Sequence, residues 1–287
     1  PSGSIVLKNT KGLAPGFIIE DNKKTLIALP GVPAEAEKMF IEEVLPYFRN
    51  RYNYNTGNRL MIKLTGIRES DINTKINNLD LDDKITWGIS AKQGVCDLCF
   101  ISADSGFSDK EKIRAIINNE FKGFIIGENY TSPEDELINI LKQRRLTVST
   151  AESCTGGLIG KRFTDVPGSS EVYAGTITAY SNSIKTDMLG VKEETLSKFG
   201  AVSEETAAEM VLGISRLFKT DVGISVTGIA GPAGGTKDKP VGTVCFGFLI
   251  NNEIITRREF FNGDRDRVRI FSSLYAINFL RKNLSIF

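Results

Sequence analysis

From residue 133 onward, short apolar runs alternate with amphipathic helical patterns, and this alternation limits the chain more than any other feature. Strands and helices in turn give a layered α/β architecture, because each helix must bury its apolar stripe against a sheet. Ser132-Pro133-Glu134-Asp135 supplies a capping hydroxyl, a first-turn proline and acids at the positive end of a helix. Leu137, Ile138 and Leu141 then recur at helical spacing up to about Arg145. Leu146–Thr150 reads as a strand, followed by Glu152-Ser153-Cys154-Thr155-Gly156-Gly157 and a helix over about 155–164. Val172–Tyr180 is a predicted strand and Ser183–Leu189 a helix. Ser203 caps a helix that carries Ala207, Met210, Val211, Ile214, Leu217 and Phe218 on one face. Asp221–Val226 reads as a strand running into the Gly-rich stretch 227–235. Val241–Ile250 and Ile254–Phe261 form a hairpin over Asn251-Asn252, and a helix over about 264–283 closes a predicted domain, 133–287.

Two shorter segments precede it. Residues 1–50 read as three short strands, with a hairpin around Asp21-Asn22-Lys23, and one helix over about 33–48 with Pro33 in its first turn. Three short strands and one helix are thin for an independent core, so this piece is expected to lean on another part of its assembly. Residues 51–129 alternate strands (Arg59–Leu64, Ile85–Ala91, Val95–Ser102) with helices (Glu69–Leu79, Asp109–Phe121), a small α/β module. A linker is expected near Gly127–Ser132. Cys96-Asp-Leu-Cys99 has metal-ligand spacing, but strand positions i and i+3 point to opposite faces, and no second such pair completes a site.

Composition narrows the chemistry. The chain has no histidine, so Ser-His-Asp and Cys-His activation and His-built zinc sites are closed to it. Proton transfer falls to Lys, Tyr, Asp, Glu, Cys or water. Residues 1–130 carry 17 basic and 17 acidic side chains, residues 131–287 carry 19 and 18, and no basic block stands out. Neither nucleic acid nor a membrane surface is therefore expected as a partner, and no apolar run is long enough for a membrane span. Four cysteines in a chain of this length suit a reducing cytoplasm. Pro1-Ser2-Gly3-Ser4 is read as a fragment start or a processed end.

Four stretches could carry chemistry. Ser153 lies in a strand-to-helix turn with two glycines behind it, where unpaired N–H groups suit a phosphate, a carboxylate or an oxyanion. Ser153 or Thr155 could equally be a plain helix cap. Lys185, in Tyr180-Ser181-Asn182-Ser183-Ile184-Lys185, is either a solvated helix lysine or the desolvated base that a serine needs where histidine is missing. An ordinary lysine, pKa about 10.4, is neutral in only roughly 0.04% of molecules at pH 7. Each unit of depression raises that fraction tenfold. Such a site must bury Lys185 without a carboxylate partner, and Tyr180 could relay or orient a proton. The third stretch, Thr227-Gly228-Ile229-Ala230-Gly231, is a Gly-rich turn after a strand, a weak phosphate-cradle signal that lacks the Gly-Lys-Ser/Thr of a P-loop. In the fourth, Gly263-Asp264-Arg265-Asp266, Arg265 either grips a phosphate or pairs with its neighbouring aspartates. Cys154 competes with Ser153 as nucleophile, depending on the helix end for thiolate character.

Taken together, Thr150-Ala-Glu-Ser-Cys-Thr-Gly-Gly157, Tyr180-Ser-Asn-x-x-Lys185, Gly200-Ala-Val-Ser203, Thr227-Gly-Ile-Ala-Gly-Pro232, Lys239-Pro-Val-Gly-Thr243 and Gly263-Asp-Arg-Asp266 resemble one family. It is the C-terminal domain of the competence/damage-inducible CinA family, the nicotinamide mononucleotide deamidases. Pro1-x-Gly-Ser4, Asn9-x-x-Gly12-x-Ala-Pro-Gly16 and Pro30-Gly-Val-Pro33-x-Glu35 are similar to the end of that family's molybdopterin-binding-like domain. Residues 51–129 resemble its KH-like module, without the Gly-x-x-Gly loop that clamps RNA. The resemblance implies amide hydrolysis of nicotinamide mononucleotide to nicotinate mononucleotide and ammonia in the cytoplasm. It implies Ser153 as nucleophile, Lys185 as base and Tyr180 assisting. It further implies substrate contacts from Cys154, Thr155, Gly156, Asn182, the 227–231 stretch and Arg265. No cofactor is expected for this reaction, and a homodimer is expected at the level of the family. ADP-ribose pyrophosphatase activity, with a divalent metal, is attached to the first domain and expected only if that domain is completed. The alternative is a non-catalytic nucleotide- or pterin-binding protein linked to competence.

Overall fold

The computed structural model describes residues 2–22, 24–52, 59–92, 94–102, 109–127 and 130–285. Lys23 of the expected hairpin turn, and Glu128 and Asn129 of the expected linker, lie outside the described residues. The described residues up to Arg59, with Ser102, make one compact unit, and residues 60–101 and 109–285 make the other. The expected second and third segments thus share one unit. Among the described residues no helix is long and apolar enough to cross a membrane.

In the first unit, β1 (Ile5–Leu7), β2 (Gly16–Asp21) and β3 (Lys24–Ala28) form an antiparallel meander. The predicted helix is three pieces: α1 (Pro33–Met39), a π-helical turn (Phe40–Val44) and α2 (Leu45–Tyr52). Leu7, Ile18, Met39 and Val44 make its small core.

The second unit begins with β4 (Arg59–Thr65), α3 (Glu69–Asn77), β5 (Ile85–Lys92), β6 (Val95–Ser102) and α4 (Lys110–Glu120), the strands in the order β4-β6-β5. Burial alternates along β6, so Cys96 is buried, Cys99 only partly, and both are free thiols.

The rest of the unit is a five-stranded mixed sheet. Its elements are α5 (Pro133–Arg144), β7 (Val148–Glu152), α6 (Leu158–Thr164), β8 (Tyr173–Thr178), α7 (Asn182–Leu189), α8 (Glu193–Phe199), α9 (Glu204–Phe218), β9 (Val222–Gly228), β10 (Thr243–Ile250), β11 (Glu253–Phe260) and α10 (Arg265–Ser285). The strand order is β11-β10-β9-β7-β8, with β7 parallel to both neighbours and β10 antiparallel to β9 and β11. Every residue of β7 is buried, as a parallel strand covered on both faces requires. One core joins Leu137 and Leu141 of α5, Ile159 and Phe163 of α6, and Ile277 and Leu280 of α10 to the sheet. A second holds Leu189, Met210 and Ile214 on Ala151.

Layering and helix caps agree with the sequence reading: Ser132 and Ser203 accept from Asp135 N and Thr206 N. Two local expectations change. The helix after Ser153 starts at Leu158, because Gly156 and Gly157 take positive φ (63° and 91°) and hold the chain in a turn first. Helix α8 had no counterpart in the sequence reading. Gly213 lets α9 reach the Leu189 carbonyl, which a Cβ would overlap.

The chain leaves β7 for β8 on one side and reaches β9 on the other. Strand order therefore reverses at β7, and the crevice beyond the carboxyl ends of such strands is where open α/β sheets bind ligands.

Candidate active site

Ser153 follows the last residue of β7, and its N–H donates to Val226 O of β9 (2.9 Å). Beyond the carboxyl ends of β7 and β9 lies a cavity of about 220 Å³. Ser153, Cys154, Tyr180, Asn182, Lys185, Thr227, Gly228, Ala230 and Arg265 line it, all named from the sequence, with Ala201 and Val202, which were not. Those two lay inside the Gly200–Ser203 motif. Their wall is held by Lys239, whose Nζ donates to Phe199 O (2.8 Å) and Val202 O (2.7 Å), and by Thr227 Oγ1 donating to Ala201 O (2.7 Å).

Lys185 is 1% exposed. Its Nζ donates to Ala179 O (2.7 Å) and Tyr180 O (3.3 Å) and lies 3.2 Å from Ser153 Oγ. The described residues give it no carboxylate partner. Burial lowers its pKa from the ordinary lysine value, and only the neighbouring Cys154 pulls the other way. The geometry suits a neutral amine: two carbonyls absorb two N–H groups, and the lone pair is left for the Ser153 hydroxyl.

The same burial weighs against Cys154 as the nucleophile. Desolvation pushes its thiol up to about 12, Glu152 adds to the rise, and the Cys154 and Thr155 backbone N–H groups near the sulfur only partly oppose it. We expect Cys154→Ala to keep most of the activity of the site. We also expect the native protein to resist alkylation at this thiol at pH 8, read by mass spectrometry after iodoacetamide treatment. Rapid native labelling of Cys154 would reverse this assignment.

Several expected roles move. The helix end behind Ser153 is not open to a substrate anion. The fully buried Glu152 carboxylate fills it, taking Gly157 N (2.9 Å), Ile159 N (3.1 Å) and Gly160 N (2.8 Å). The sequence reading gave Glu152 no role, although an acid just before a helix start is a signal for this capping. Thr155 and Gly156 do not line the cavity: Thr155 Oγ1 is buried without a hydrogen-bond partner among the described residues, and Gly156 N donates to Ser153 O (3.1 Å). The Cys154 and Thr155 N–H groups are bound by no carbonyl or side-chain oxygen among the described residues, but both lie near the Cys154 sulfur; since Cys154 lines the cavity and Thr155 does not, the Cys154 N–H is the candidate oxyanion donor.

The Tyr180 hydroxyl makes no bond to Lys185 or Ser153. It is 63% exposed and accepts from Arg265 Nη2 (3.2 Å), so Tyr180 acts on Lys185 through its carbonyl instead. Arg265 pairs with neither adjacent aspartate. Its Nη1 donates to Gly231 O (2.8 Å), and three of the five guanidinium N–H groups remain. The 227–231 stretch is a wall more than a cradle, since Ile229 spends its N–H on Thr243 O (2.9 Å) and its carbonyl on Gly242 N (2.7 Å).

Residues 130–284 match the family model for the CinA C-terminal domain. The chain belongs to the CinA family. It is 42% identical to a CinA-like protein of Kosmotoga olearia and 40% identical to a competence-damage inducible protein of Halothermothrix orenii, each alignment covering 99% of this chain and 70% of the relative. A CinA superfamily crystal structure from Klebsiella pneumoniae superposes with a TM-score of 0.53 at 32% identity, over 54% of this chain and 97% of that one. One from Enterobacter asburiae, a competence or damage-inducible protein, gives 0.52 at 34% identity over 54% and 99%. Within this CinA chain, both matches cover little more than half the residues, in keeping with the extent of the family model.

Proposed function

We propose that this chain hydrolyses the carboxamide of nicotinamide mononucleotide, giving nicotinate mononucleotide and ammonia. The observation that carries the reading is the buried Lys185 amine, 3.2 Å from Ser153 Oγ and without a carboxylate to hold its proton. Neutral Lys185 takes the Ser153 proton as Oγ attacks the carboxamide carbon. The oxyanion sits near the Cys154 N–H; elsewhere one such donor is worth about 3–4 kcal/mol. The C–N bond then breaks, the Lys185 ammonium gives its proton to the leaving ammonia, and an acyl ester remains on Ser153. Water attacks that ester while Lys185 takes one of its protons, which it returns to Ser153 as the carboxylic acid leaves and loses its remaining proton to solvent. Every proton moves between side chain, substrate and water, so the reading calls for no metal or organic cofactor.

A cavity of about 220 Å³ encloses little more than the ring and its amide; whole-ligand sites run to roughly 300–1,000 Å³. The ribose and phosphate then extend to the rim, where Asn182 and the spare N–H groups of Arg265 can meet them.

The test is ammonia release from nicotinamide mononucleotide by the full chain, followed against pH. We expect turnover, with kcat/KM rising with pH and levelling off below the ordinary lysine pKa, since the base must first lose its proton and burial has lowered its pKa. A folded protein that releases no ammonia at any pH would remove the proposal.

A further inference from the structure

Arg269, in α10, is not part of the cavity lining, yet it is bonded to the turn that carries the nucleophile. Its Nη2 donates to Thr155 O (3.0 Å). The same peptide unit offers its N–H, on Gly156, to Ser153 O (3.1 Å). That plane is therefore fixed at both ends, by the turn itself on one side and by a guanidinium from a distant helix on the other. Among the described residues no other hydrogen bond is made to that peptide. Gly156 has φ 63° and no side chain, so rotating the plane would meet little steric cost. The rest of the turn has its own anchors: Val226 O for Ser153 N, and Glu152 for the Gly157, Ile159 and Gly160 amides.

We propose that Arg269 is a positioning residue, a latch on the Thr155–Gly156 peptide that holds the turn carrying Ser153 in register with the Lys185 amine. A charged donor suits this task, because a charge-assisted bond to a carbonyl is stronger than a neutral one. The other end of the Arg269 fork lies near the exposed Asp266, with Nη1 to Oδ1 at 3.6 Å. The catalytic consequence rests on the proposed amide hydrolysis; the latch itself does not.

Two measurements on the 287-residue chain separate the ideas. In amide hydrogen exchange by NMR, Arg269→Met should speed exchange at Gly156 by about tenfold or more, while Ile159 and Gly160 keep their protection. In the ammonia assay the same variant should lose roughly 10–100-fold in kcat with KM nearly unchanged. The pH limb assigned to Lys185 should stay where it was. Arg269→Lys, which can still reach one carbonyl with a charged donor, should recover part of both effects. Unchanged Gly156 exchange in Arg269→Met would overturn the latch whatever the substrate. A rise in KM alone would make Arg269 a substrate contact instead. Normal exchange effects in a protein that never releases ammonia would leave the latch standing and remove only the hydrolysis.

Discussion

Ser153→Ala is expected to lower ammonia release from nicotinamide mononucleotide by at least about 10³-fold, and Lys185→Met by a similar factor. The double variant should be scarcely worse than either single one. Ser153 without its base and Lys185 without its hydroxyl are both idle, and groups that act as a unit lose their contribution together. Losses that multiplied in the double variant would mean two independent roles and would break the pairing. Lys185→Met carries a second signature, in stability. The folded pKa of Lys185 lies below its unfolded value, so the unfolded chain binds this proton more readily. The penalty of burying the amine is thus complete below the folded pKa, shrinks as pH rises towards the unfolded value, and vanishes above it. Methionine carries no such penalty. The stability of Lys185→Met minus that of the parent should accordingly be most favourable to the variant at neutral pH and fall as pH is raised, whatever constant cost comes from leaving Ala179 O and Tyr180 O without their donor. Urea titrations at several pH values measure it, and a difference independent of pH would mean that the buried amine titrates normally.

What could be read in the sequence was whatever repeats at short range. Helices α5 and α9 announce themselves through a capping serine and an apolar stripe, and both begin where Ser132 and Ser203 place them. The stripe of the helix after Ser153 starts at Leu158, and its start was misread because the turn glycines carry no hydrophobic signal. The burial of Lys185 was invisible to pattern. It sits among Ser183, Thr186 and Asp187, a setting that reads as a solvated helix face; only the packing of α7 beside the ends of β7 and β8 closes it off. Sheet order was equally out of reach, because it depends on pairings tens of residues apart, such as Glu152 with Val226. Without that order Ser153, Tyr180, Thr227 and Arg265 stay four separate motifs. The resemblance to a known family supplied their grouping, and the geometry then corrected the parts: Glu152 fills the helix end that looked free, and the Tyr180 hydroxyl turns to Arg265.

Glu152→Ala is expected to cost about 3–5 kcal/mol of folding stability, among the largest single losses available in this domain. The side chain is fully buried, and its oxygens divide their work: Oε2 takes Gly157 N and Ile159 N, and Oε1 takes Gly160 N with Thr176 Oγ1 at 3.4 Å. Alanine leaves three backbone donors without the acceptor that the buried carboxylate supplied, each worth about 1–3 kcal/mol. It also removes the negative charge from the positive end of α6. Glu152→Gln is the sharper test. Glutamine matches the shape but keeps a single acceptor oxygen, and it must turn its NH2 towards N–H groups that have nothing to give back. One face of the cap is satisfied and the other opposes itself, so about 2–4 kcal/mol should be lost even though almost no volume changes. Denaturant midpoints at constant m-value measure both variants. Activity should fall further than the folded fraction accounts for, since Gly157, which Glu152 anchors, directly follows the Ser153–Gly156 turn, and loosening it disperses the nucleophile relative to Lys185. A Glu152→Gln protein as stable as its parent would mean that the carboxylate is not needed to satisfy the start of α6, and the site would have to owe its order to the strand pairing of Ser153 alone.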